Sequence, residues 1–466
     1  MARESSASAL RSAVEIARRV RSGEASAVDV LEDCLARISR LQGKLNAFVT
    51  VCAEEARAQA AEIDRARAAG APLGPLAGVP VSVKDILNTK GVRTAWGSRL
   101  MESNVPAEDA VAVRRLKEAG AVIIGKTTTP EFAYKLLTDS PISGITRNPW
   151  NAELTSGGSS GGSAVAVAAG MGPLSLATDA GASTRLPAAC CGILGLKPTL
   201  GRVPHNQVPD AFNNFIHLGV MARTVADCEL MLEVIAGPHP SDPYSLFSPQ
   251  RKSDRLRIEW RPLLGNTLLD DEVRALCESA LRHLPLEIRT VEEPFENAEP
   301  AWRVLQQSNW AARYFAKLAE VEPKIEPGFA AGIRAGGAYT GQQLLAATVK
   351  RTEYFRKVQG WFERCDIVAT PTMSRPPMSA THRVEEPITV NGAPAGDLRV
   401  AWAPYLNVFN LTGHPALSVP AGFTREGLPV GLQLVARWHA EADFFAAARI
   451  LEDKLRWFER VPPEAA

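Results

Sequence analysis

No run of eighteen apolar residues occurs anywhere in this 466-residue chain, so no segment is expected to cross a membrane as a helix. The N-terminus, MARESSASALRSAVEIARRV, likewise lacks an apolar core of signal-peptide length, and a cytoplasmic protein is expected. There are seven cysteines, an odd number that includes the adjacent pair Cys190 and Cys191, with no CxxC and no framework spacing. Reduced thiols are expected instead of a disulfide scaffold. The seven histidines are scattered, with no HExxH and no paired His/Cys spacing, so no metal site is expected. An excess of either charge is missing too. With 52 Lys+Arg against 51 Asp+Glu the formal net charge is +1, which gives no footing for nucleic acid or an acidic membrane surface as a partner.

What the chain does have is a concentration of small residues at 155–187, TSGGSSGGSAVAVAAGMGPLSLATDAGASTRLP. Four glycines surround Ser159 and Ser160, and Ser183 follows in a second small-residue turn. Small residues beside hydroxyls let a backbone approach a bound group and turn its N–H groups inward, as an oxyanion cradle needs. A flexible Gly/Ser linker is the plainer reading. Between the two turns, however, the apolar runs 164–169 and 173–176 have the pattern of a buried helix and a short buried strand, and linkers do not bracket core elements.

Along the rest of the chain, helical spacing covers 12–69, with Gly23 dividing two helices and Ser26 as an N-cap candidate. A β-branched strand then ends in Lys84. An amphipathic helix at 110–120 precedes a core strand at 121–126, and strands recur at 193–198, 366–371, 415–420 and 430–435 before a closing helix at 440–455. Strands alternating with helices predict an α/β fold: a large mixed, mostly parallel sheet covered by helices on both faces. Without an internal repeat or a long linker, residues 1–466 read as one domain. Its parts are a helical lead-in (1–70), a catalytic core (71–237), a variable peripheral segment (238–360) and a C-terminal return to the core (361–466).

The glycine-rich turn matches G-x-S-x-G in two registers, but a nucleophile elbow needs a core strand directly before it, and residues 148–155 read as polar loop. A phosphate loop is disfavoured as well, because no G-K-[ST] follows these glycines and no GxGxxG is present. An attacking serine needs a base, and no Ser/His/Asp pattern accompanies these serines. A lysine can serve only when neutral. At an unperturbed pKa near 10.4 about 0.04% is neutral at pH 7, a cost of roughly 4.6 kcal/mol, and burial can lower a lysine pKa by ~3 to 5 units.

Taken together, GVPVSVKD, GKTTTPEFA, NPW with GGSSGGSAVAVAAG, TDAGASTRLPA, CGILGLKPTLGRV, GVMARTVAD, NLTGHPALSVPAGF and GLPVGLQLVA resemble the amidase signature family, in that family's order over most of the chain. The resemblance implies a Ser-cis-Ser-Lys triad: Lys84 as base, Ser159 as the bridging serine after a cis peptide, and Ser183 as nucleophile. Backbone N–H groups of Ala180, Gly181, Ala182 and Ser183 would hold the oxyanion, with Asp179 and Arg185 fixing the turn and Ser160 bonding nearby. The chain departs from the family's usual GGS at Ala182. Alanine is costly where φ is positive, so the backbone there is either ordinary or strained.

The expected activity is hydrolysis of a small-molecule amide through an acyl-enzyme on Ser183, with esters and carbamates as side substrates and no cofactor. Leu136, Leu137, Ile142 and Ile145, with residues from 301–345 and 396–410, are expected at the pocket mouth. Trp302, Leu305, Trp310 and Tyr314 are expected as its cover. An apolar lining suits aryl or alkyl amides. Two rivals stand beside this reading, a glutamine amidotransferase A-type subunit releasing ammonia for a partner and a catalytically silent binding protein on the same scaffold. Homodimer formation is left open.

Overall fold

The computed structural model describes residues 12–247 and 249–466; residues 1–11 of the expected lead-in lie outside the described residues. Helical spacing at the start of the chain gives Ala13–Ser22 and Ala27–Leu45. Gly23 closes the first helix at φ 80°, and the Ser26 side chain caps the second by accepting from the N–H of Val28 and Asp29.

Eleven strands form the central sheet. In chain order they are β1 (Phe48–Val51), β2 (Pro80–Lys84), β3 (Val122–Thr127), β4 (Leu174–Asp179), β5 (Leu194–Lys197) and β6 (His217–Ala222), then β7 (Arg257–Trp260), β8 (Glu287–Thr290), β9 (Ile367–Pro371), β10 (Ala416–Phe423) and β11 (Pro429–Ala436). Across the sheet they run β1-β3-β2-β4-β6-β5-β10-β11-β9-β7-β8. The fold is α/β and the sheet mixed, as expected, but it is not mostly parallel. Only the β2/β3, β2/β4, β7/β9 and β7/β8 junctions are parallel, and the other six are antiparallel. Two of the six arise at β6. Strands β4 and β5 are linked through the helix Arg185–Cys191 as a crossover would link parallel neighbours, yet β6 slots between them and pairs antiparallel with both. Alternation along a chain signals crossovers, but it does not say which strand fills the gap.

The parallel pair β2/β4 positions the site. Its register sets Val81 against Leu174 and Val83 against Leu176, so Lys84 and Thr178–Asp179 leave the sheet at the same edge. Ligands in open α/β sheets bind beyond the carboxyl ends of strands. Behind this edge runs the helix Gly161–Ala168, every residue of which is buried. It packs against β4 and the helix Arg185–Cys191 and holds the two small-residue turns together.

Residues 238–360, read from sequence as peripheral, extend the sheet through β7 and β8 and then form the helices Glu299–Tyr314, Pro327–Ala338 and Gly341–Trp361. A second, small core of Val321, Ile325, Phe329, Ala330 and Ile333 lies there, with Phe132, Trp310 and Tyr314 packed on it.

Candidate active site

Lys84 ends β2 with no exposed surface. Its Nζ donates to Ser159 Oγ at 2.6 Å and to Thr178 Oγ1 at 3.0 Å. Burial pushes its pKa down from 10.5 to about 7, with the charge of Asp179 opposing the fall. About half of such a lysine is the free amine at pH 7, the only form able to accept a proton.

Ser159 follows a cis peptide bond from Gly158. Glycine is required at 158 by space, since a Cβ there would come within 2.7 Å of the Leu136 carbonyl carbon. Ser160 ties the turns to one another: its N–H donates to the Ser183 carbonyl at 3.1 Å and its hydroxyl to the Thr178 carbonyl at 3.3 Å.

Ser183 sits just before the helix Arg185–Cys191, and Asp179 and Arg185 clamp the turn that carries it. Arg185 grips the carboxylate with Nε to Oδ2 and Nη2 to Oδ1, both at 2.9 Å, and Thr184 N–H adds a bond of 3.1 Å. Burial works to raise the Asp179 pKa, but the charge and hydrogen bonds of Arg185 prevail and hold it well below the usual carboxylate range. Arg185 also donates to Gln433 Oε1 at 2.7 Å and to the Leu406 carbonyl at 3.0 Å, and Asn410 bonds to both members of the pair. Among the described residues none accepts from the N–H of Gly181, Ala182 or Ser183. Ala182 is buried and is not among the described residues with positive φ, so its backbone is ordinary and the methyl group carries no conformational cost.

Ser159, Thr178, Ala180 and Ser183 open into one cavity. Trp96, Phe132, Phe215, Trp310, Tyr314 and Phe329 give it aromatic walls, while His205, Gln207, Asp210, Asn213, Asn214, Gln306, Asn309 and Arg313 line it with polar groups. Phe329 stacks on Phe132 at 4.9 Å between centroids and meets Trp310 edge-on at 5.3 Å, which makes the wall a single packed unit. Glu326 docks this wall onto the loop below, its carboxylate accepting from Tyr134 Oη at 2.8 Å and Lys135 Nζ at 2.6 Å.

The lining differs from the one read in the sequence. Leu136 and Leu137 are buried behind the glycine turn, where their backbone abuts Gly158. Ile145 belongs to the small hairpin Asp139–Ser140 with Gly144–Ile145, and Ile142 sits in its turn. None of the four reaches the cavity of Ser183. Trp310 and Tyr314 do line it, but Leu305 is buried elsewhere, and Trp302 instead donates from Nε1 to the Ala180 carbonyl at 2.6 Å. Residues 396–410 add nothing to its lining; Leu406 and Asn410 lie behind, on Arg185. Sequence reasoning missed Thr178, Asn410 and Gln433. Gln433 had left a signal as the one polar residue within the apolar run 430–435.

A family model described as Amidase matches residues 29–444. An acylamidase of Rhodococcus erythropolis is 34% identical, with 97% of each chain covered. The A-type subunit of the glutamyl-tRNA(Gln) amidotransferase of Roseiflexus sp. (strain RS-1) is 37% identical, over 94% of this chain and 95% of that one. Among solved structures, a bacterial aryl acylamidase of the amidase signature enzymes superposes with a TM-score of 0.89 at 28% identity, covering 97% and 98% of the two chains. The 6-aminohexanoate cyclic dimer hydrolase gives 0.88 at 28% identity, covering 98% and 99%.

Proposed function

The chain belongs to the amidase family, and from that premise we propose that it hydrolyses small aryl or alkyl amides through an acyl-enzyme on Ser183. The observation that carries the reading is the buried Lys84 amine, 2.6 Å from Ser159 Oγ, at the edge of the cavity that Ser183 lines. Neutral Lys84 takes a proton through Ser159 from Ser183 as Ser183 Oγ attacks the amide carbon. The oxyanion is held by the backbone N–H groups of the Ala180–Ser183 turn, where one such donor is worth roughly 3 to 4 kcal/mol in other hydrolases. Collapse breaks the C–N bond, and the proton returns through Ser159 to the departing amine. Water then repeats the sequence on the ester to release the acid. Esters and carbamates present the same electrophilic carbon and fit as side substrates.

The aromatic walls favour an aryl or alkyl acyl group. The glutaminase reading has a specific observation on its side too. Arg313 lines the cavity with no ion-pair partner among the described residues and could meet a carboxylate. One experiment separates the readings. The purified chain, without partners, is assayed on aryl amides, aliphatic amides, carbamates, esters and glutamine. Turnover of aryl amides with glutamine inert is expected, and the reverse pattern would overturn the reading. Labelling of Ser183 by a fluorophosphonate, lost in Ser183→Ala, excludes a silent binding protein.

A further inference from the structure

The oxyanion turn has two sides. Ala180 and Ser183 face the aromatic cavity, whereas Trp302 borders a neighbouring cleft with Glu299 and Arg399 and takes no part in the cavity lining. Across that boundary Trp302 Nε1–H donates to the Ala180 carbonyl at 2.6 Å. The only cis peptide among the described residues is Gly158–Ser159, so the peptide joining Ala180 to Gly181 is trans. In a trans, planar peptide the C=O and the N–H point in opposite directions. Holding the carbonyl towards the cleft therefore turns the Gly181 N–H away from the cleft.

Two further contacts fix the indole in place. A Cβ on Gly181 would lie 3.0 Å from Trp302 Nε1, tighter than ordinary packing, so the absence of a side chain there admits the ring. The Arg399 guanidinium lies 4.2 Å from the indole centroid. Arg399 is itself held by the Tyr134 carbonyl at 3.1 Å and stands 3.6 Å from buried Glu299, which accepts from Asn407 at 2.8 Å.

We propose that Trp302 is a positioning residue for catalysis: by holding the Ala180 carbonyl it aims the Gly181 N–H at the oxyanion of the tetrahedral intermediate. The inference rests on the amide-hydrolase reading of the same site. It gives residues 299–314, outside the glycine-rich stretch, a part in transition-state stabilisation that does not involve touching substrate.

The test is Trp302→Phe, which keeps an aromatic ring beside Gly181 and removes the donor. For a nitroanilide substrate, kcat per fluorophosphonate-titrated site should fall about 10- to 100-fold, less than or equal to the loss of a whole donor, with KM within threefold. Affinity for a trifluoromethyl ketone bearing the same acyl group, which forms an oxyanion on Ser183, should fall by the same factor. The pH midpoint of kcat/KM should stay where it is, because the base is untouched. An unchanged kcat, a loss confined to KM, or undiminished ketone affinity would overturn the inference. If Trp302→Phe does not fold, Arg399→Met decides instead by the same measurements: a severalfold parallel loss in kcat and ketone affinity supports the inference, and no change in either overturns it. A wild-type protein inert on every amide would remove the proposed function itself, whereas an active wild type matched by Trp302→Phe would remove only the role of Trp302.

Discussion

In the proposed mechanism Lys84 sets the acid limb of the pH profile. With its pKa lowered to about 7, the neutral fraction is about one half at pH 7 and about 1% at pH 5. The kcat/KM for a neutral anilide should therefore fall roughly 50-fold between those two values and level off above pH 8. A lysine at its ordinary 10.5 would instead give a tenfold rise per pH unit through pH 9. Stability responds in a different pH window. Because the folded-state pKa is lowered, the unfolded chain binds the extra proton between pH 7 and 10.5, and folding stability rises with pH across that window. Below pH 7 the full penalty applies, on the order of 5 kcal/mol at 1.36 kcal/mol for each tenfold change in proton affinity. Lys84→Met removes the titrating group from a site with no exposed surface. It also gives up the bonds to Ser159 and Thr178, each worth about 1 kcal/mol. The variant should lose amide turnover by orders of magnitude and yet gain about 2 kcal/mol in urea denaturation at pH 7. A flat pH profile between 5 and 7, or a Lys84→Met protein that is active or less stable than wild type, would refute the reasoning.

Two further substitutions probe the groups around this lysine and the wall above it. Asp179→Asn strands the Arg185 guanidinium in a fully buried site and should cost about 3 to 5 kcal/mol in urea denaturation; since the Asp179 charge raises the Lys84 pKa, the pH midpoint of the folded variant should move below 7, and a midpoint that rises counts against the assignment. Phe329→Ala removes the ring that joins Phe132 to Trp310, so KM for aryl amides should rise at least about fivefold with the pH midpoint fixed, and steady-state kinetics giving an unchanged KM would show that this wall does not bind the acyl group.

The site's polar centre was readable in the sequence because its chemistry needs unusual residues in unusual company. Glycines flanking Ser159 and a lysine ending a β-branched strand stand out from any ordinary core pattern, and the structure brings Lys84 and Ser159 within hydrogen-bonding distance across 75 positions. The aromatic wall was not readable in the same way. Phe132, Phe215, Trp310 and Phe329 come from four separate segments, and each alone has the look of a packing residue. Leucines close in sequence to the glycine turn drew attention instead, although adjacency in the chain placed them behind the turn and not in front of it. Sheet direction failed for a related reason. The insertion of β6 between β4 and β5 is a long-range pairing, and local periodicity carries no information about partners.

The arrangement of charges explains why the proposed base and the clamp must be built together. A buried carboxylate one strand away from a buried lysine would ordinarily form an ion pair and keep the lysine protonated, ending its use as a base. Here Arg185 takes both oxygens of Asp179, and Thr184 and Asn410 take the remaining bonding positions. The carboxylate is thereby neutralised by a group that stays charged at any working pH, and burial is left to govern Lys84. Asp179 still raises the lysine pKa, enough to oppose burial but not to cancel it, and the balance falls near neutrality. Gln433 and the Leu406 carbonyl, both from the C-terminal segment, fix the guanidinium. Residues in the last third of the chain thus hold in place the ion pair that faces a lysine in the first third.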